Sequence, residues 1–278
     1  MRKLLALVAA LLVPLAFAPP AEAFIYWTTH RPDAIGRAKL NGNAVDRGFI
    51  NDLGGSLAAL AVDDTYVYWS NPTNPQPGAI GRAKLDGTEV NESFVSTGDP
   101  YWIAVSDAHV YWTHNRGRIG RVNLDGTQVD QEFIKPPLVG AATAVAVNDT
   151  HVYWTHRYNG AIGRARLNGG RVERKFVTFG ARPEALAVDD KYVYWTNNRG
   201  RIGRAKLDGT RVNSRFITGV AERGSESLVG LTVNARHVYW ANHDTHKIGR
   251  AKLDGTRVNP RFIRAGHLDG LAVGPGRG

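Results

Sequence analysis

Five histidines (His30, His114, His156, His243 and His246) stand just after or near Tyr-Trp pairs, in stretches rich in Asn, Thr and Gly. Imidazole is the commonest zinc ligand and titrates near neutral pH. A metal centre would need these rings to converge beside carboxylates. They fall in separate segments of the chain with few acidic neighbours, so they are read as polar loop residues that cap strand ends, and no metal or cofactor is expected. Arg31, Arg116, Arg157, Tyr158 and Arg199 occupy the same stretches. Tyr101-Trp102 is an aromatic pair where comparable segments carry small or aliphatic residues, and such rings stack on sugars or anchor in a partner's pocket. The alternative is that Trp102 plugs a channel. The pairs Asp63-Asp64 and Asp189-Asp190 are read as turn residues, not as catalytic carboxylates. The chain holds no G-x-S-x-G, H-E-x-x-H or phosphate-binding loop, and its lack of cysteine excludes thiol chemistry. No catalytic residue is assigned.

What must position these side chains is a repeat. The stretch HVYWTHNRGRIGRVNLDGT at 109–127 recurs five more times with edits, and its tryptophans are Trp27, Trp69, Trp112, Trp154, Trp195 and Trp240. A period of about 40–45 residues holding several short strands marks a β-propeller blade. In the second copy, 57–62 is an apolar strand, 66–70 a strand apolar on both faces, 79–85 a third and 90–95 a polar outer edge. Two apolar faces require cover on both sides, as for a blade wedged between blades. Gly81 and Ala83 are expected to permit close approach of the next blade. Asp86-Gly87 supplies the positive φ angles of a tight hairpin. The first copy lacks an inner strand, while LDGLAV at 268–273 follows the last copy. The C-terminal strand should therefore complete the first blade. The expected fold is an all-β, six-bladed propeller of four-stranded antiparallel blades spanning 24–273, with a short Gly-rich tail at 274–278.

The recurring YW-T-x…I-x-R-A-x-L-D-G pattern resembles the YWTD repeat, the class B repeat of the low-density lipoprotein receptor family. That resemblance implies a six-bladed propeller without implying receptor function. The fourth position of the motif departs from Asp in every copy, being Thr29, Asn71, His114, His156, Asn197 and Asn242.

Arg2-Lys3, an apolar run from Leu4 to Phe17 and Ala21-Glu22-Ala23 form the pattern of a secretory signal peptide cleaved after Ala23. The run is too short to span a membrane. The net charge of +10 suits anionic cell-wall polymers or acidic glycans for an exported chain. However, many arginines recur at one repeat position, and a ring of charge is not a patch. Loops after the YW strands and between blades vary from copy to copy, while the hairpins at the other end are uniform. Variation on one rim is what a binding face looks like. The sequence thus reads as a secreted, monomeric, non-catalytic propeller that binds an extracellular protein or glycan, without nucleic acid. A metal-dependent lactonase, hydrolase or lyase and a charge-held envelope protein are the alternatives.

Overall fold

The computed structural model describes residues 22–73, 77–114, 117–135, 142–221 and 227–274. The export-signal pattern up to 21, the tail beyond 274 and Arg116 lie outside these residues. The described chain forms twenty-four strands in six four-stranded antiparallel sheets. In each, an inner strand is followed by the YW strand, the IGR strand and an outer edge strand. The first sheet is completed by Leu271–Val273, which pairs with Phe24–Thr29 through Ile25↔Val273 and Trp27↔Leu271. The ring closes as the repeat arithmetic required, and the fold is a six-bladed propeller.

The alternation of the YW strand drives blade stacking, because side chains of neighbouring residues in a strand point to opposite faces. Each tryptophan face packs on the tyrosine face of the preceding blade. Tyr26 meets Val67 and Trp69, Tyr68 meets Val110 and Trp112, and Tyr239 meets Ile25 and Trp27 across the closure. All six tryptophans are fully buried. Each sits opposite a glycine of its own blade, as in Trp69↔Gly81 and Trp112↔Gly120. A Cβ on Gly81 or Gly120 would lie 2.3 Å from the indole. The glycine therefore makes room for its own blade's tryptophan, not for the neighbouring blade as the sequence suggested.

The recurrent arginine is structural. Arg82 donates from Nη1 to the Leu124 carbonyl of the next blade at 2.7 Å while its guanidinium lies 3.9 Å from the Phe94 ring centroid. The same pair of contacts recurs at Arg37, Arg121, Arg164, Arg204 and Arg250. Arg250 reaches Leu40 and so staples the last blade to the first. Six of the positive charges are thereby spent between blades. Asp63 and Asp189 are turn residues as expected: each carboxylate accepts two backbone N–H groups of its turn and the hydroxyl of Tyr68 or Tyr194. Burial, reinforced by that aspartate, pushes both phenols far up.

Candidate functional site at the mouth of the channel

The six inner strands read LAALAV, PYWIAV, ATAVAV, PEALAV, LVGLTV and LDGLAV. Their last three positions, aliphatic apart from Thr232, line a throat of about 150 Å³. Their second positions do not repeat: Ala58, Tyr101, Thr143, Glu184, Val229 and Asp269 all line a cavity of about 810 Å³ at the loop end of the channel. In four blades the pairing with the YW strand slips between these positions, for example between Pro100 and Ile103 and between Pro183 and Leu186. A bulge re-aims side chains and leaves an amide unpaired. In three of those four blades the hydroxyl of the YW-T position takes up that amide, whereas the last blade has Ala241 there. Trp102 N donates to Thr113 Oγ1 at 3.2 Å, Ala144 N to Thr155 Oγ1 at 2.9 Å and Ala185 N to Thr196 Oγ1 at 2.9 Å. The same hydroxyl group then donates onward to the neighbouring blade's inner strand, as from Thr113 to Thr143 O at 3.0 Å. The repeated threonine thus holds a non-repeating ring in place.

Trp102 occupies the third position, where the other strands have Ala or Gly. Half-buried, it packs against the cores between blades two and three, three and four, four and five, and five and six. It therefore reaches across the channel and also lines the cavity. Tyr101 beside it is 47% exposed. Across the mouth, Arg157 Nη2 lies 3.5 Å from Glu184 Oε1. Burial raises the Glu184 carboxyl above its ordinary pKa, with Arg157 opposing and Asp244 adding to that shift.

Of the residues singled out in the sequence, His30, Tyr101, Trp102, His114 and Arg157 line this cavity. His243 and His246 stand behind His30: the rings of His30 and His243 stack with centroids 5.9 Å apart, and His246 meets His243 edge-on. Arg31, Tyr158 and Arg199 lie exposed on loops outside the lining. His156 is not a rim residue. It is buried, and its Nε2 accepts the Trp154 indole N–H at 2.8 Å. It takes a structural role at the motif's fourth position, as do Asn197 and Asn242, whose Oδ1 atoms accept backbone N–H groups of the following loop.

Sequence reasoning missed Glu184, Asp269 and His267. The two carboxylates were absorbed into apolar inner strands, although aligning the six strands exposes their variable column. Asp269 Oδ2 lies 2.5 Å from His30 Nδ1, and His267 contacts both His30 and His246. The first and last blades are neighbours once the ring closes, so histidines far apart in sequence do converge there. Among the described residues, His30, His243 and Asp269 each offer one ligand atom within 4.8 Å of the others.

A closed six-bladed ring with a side-chain-lined cavity at one mouth defines the class, a six-bladed β-propeller. No family model matches the chain, and no curated protein matches it in sequence. Solved structures do match. The chain is similar to a propeller in the crystal structure of a nidogen/laminin complex, at 19% identity and TM-score 0.74, covering 90% of this chain and 98% of that one. It is also similar to a catalytically inactive form of virginiamycin B lyase from Staphylococcus aureus with quinupristin, at 18% identity and TM-score 0.60, covering 86% and 85%. TolB from Acinetobacter baumannii matches at 14% identity and TM-score 0.66, covering 91% and 66%. At these identities the likeness establishes the fold alone.

Proposed function

We propose that the chain is an exported binding propeller that takes a projecting element of an extracellular partner, a protein loop or a glycan branch, into the channel mouth. The observation that carries this reading is the inner-strand ring. All six blades contribute a second-position residue (Ala58, Tyr101, Thr143, Glu184, Val229 and Asp269) to one cavity that Trp102 also lines. Concave sites with an apolar floor and a few convergent polar groups are where ligands bind. The nidogen propeller, crystallised with laminin, supports a protein partner. The export-signal pattern at 1–23 supports an encounter outside the cell.

A lyase-type reading draws on the virginiamycin B lyase likeness and on the histidines and carboxylates of the mouth. Against it, the ring is mostly aromatic, aliphatic or hydroxyl-bearing, and Glu184, a cavity-lining acid with a raised pKa, is held beside an arginine.

The test is capture from the source organism's secreted and surface fractions, untreated, protease-treated or glycosidase-treated. Tyr101→Ala with Trp102→Ala serves as the comparison, with its fold checked by circular dichroism. Retention that resists high salt, is lost in the variant and disappears with one of the two treatments supports the proposal and names the partner class. Retention that washes off equally from both proteins sinks it, because exposed charge is screened by salt.

A further inference from the structure

We propose that the closure seam binds one divalent transition-metal ion of the zinc type through His30, His243 and Asp269. The three donors come from three segments that meet only because the ring closes. His30 lies just beyond the YW strand of the first blade, His243 just beyond that of the last, and Asp269 on the returning C-terminal segment. Their ligand atoms already lie within 4.8 Å of one another. Zinc–ligand bonds of about 2.0–2.2 Å in a tetrahedron put neighbouring ligand atoms roughly 3.3 Å apart, a gap that small side-chain rotations cover.

The donor chemistry selects the ion. Two imidazoles with one carboxylate suit zinc, cobalt or nickel, whereas magnesium and calcium prefer all-oxygen sets. The surroundings are equally imidazole-rich: His267 packs against His30 and His246, with ring centroids 5.2 and 4.2 Å away. Nδ1 of His246 is buried with no hydrogen-bond partner, a cost that a nearby ion or its bound water offsets. Three protein ligands leave a coordination position open, and His30 and Asp269 both border the mouth cavity. The ion would cross-link the first and last blades, where the sheet is completed by a strand of three residues. This proposal does not require that the cavity bind a protein or glycan.

The experiment is calorimetric titration of the chelator-treated protein with zinc chloride, with magnesium chloride as control and His151→Ala, whose ring lies at the opposite end of its strand, as a variant control. One zinc per chain is expected. Affinity should fall by more than about 100-fold in His243→Gln and in Asp269→Asn, since even outer-shell partners are worth 10–100-fold, and should be unchanged in His151→Ala. Cobalt should give the intense visible bands of a tetrahedral site, absent in His243→Gln, and zinc should raise the thermal midpoint only where it binds. Two single variants at different segments guard against a folding failure in either. Zinc binding that survives both substitutions, no stoichiometric binding, or equal binding of magnesium overturns the proposal.

Discussion

Two columns of this repeat lie within one blade and behave in opposite ways. The tryptophan of the YW strand and the glycine opposite it are the same in all six blades, and every indole is fully buried. The second position of the inner strand is different in all six and borders the open mouth. The first column meets the same neighbour in every blade, so one solution serves six times. The second faces a shared space at the channel's end, where no neighbouring blade dictates its shape. Identity around the ring reports what assembles it, and diversity reports what it meets.

The sharpest way to break this contrast is at the repeated column. Trp112→Ala empties a fully buried indole site between two blades and should cost about 4 kcal/mol in denaturant unfolding. Gly120→Ala places a Cβ 2.3 Å from that indole and should cost about 2 kcal/mol by overpacking. If both variants unfolded like the parent, the Trp–Gly pair would not be what holds the blades.

Arg82→Met comes next. It leaves the Leu124 carbonyl without its guanidinium partner and removes the cation from above Phe94. An expected loss of about 1–2 kcal/mol follows from those two contacts together. Lysine at the same position should restore little, because the contact needs one N–H directed at a carbonyl and a flat group on a ring. A substitution that left the unfolding midpoint unchanged would return the arginine ring to the role of mere surface charge.

How much of this was legible from sequence follows the same divide. The blade count, the strand order and the closure by LDGLAV were readable because repeated residues answer to repeated neighbours. The aspartate turns were readable because Asp63 and Asp189 act locally, within three residues of the amides they accept. Gly81 was seen to be needed for space, but the partner was misjudged, since cross-strand register is not visible in one strand. Glu184 was hidden because a bulge, not alternation, decides where it points, and Asp269 because it lies just before the three-residue closing strand. The proximity of His30 to His243 depends on the closure, which joins loops more than 200 residues apart in sequence. The buried place of His156 was likewise out of reach, for His114 occupies the same motif position and lines the mouth. Identical residues diverge there because His156 accepts from Trp154, whereas His114 Nε2 lies 2.8 Å from the Gln131 carbonyl oxygen.

The smallest expected effect belongs to the variable column, and it is a matter of pH. Glu184 is held above the ordinary carboxylate range by burial, and Arg157 pulls it back down. A group whose folded pKa is raised binds its proton more tightly in the native state, so stability falls as pH rises from the unfolded value, about 4.5, through the folded one. Relative to Glu184→Gln, which carries no such charge, the parent should lose stability over that window and be flat on either side. Arg157→Ala should move the window further up, because it removes the group that favours the carboxylate. Carboxyl titration by NMR measures this directly. A Glu184 midpoint at or below the unfolded value would mean that water and Arg157 solvate the acid fully. The mouth would then be an open rim, and its aromatic floor would have to hold a partner without an enclosing polar wall.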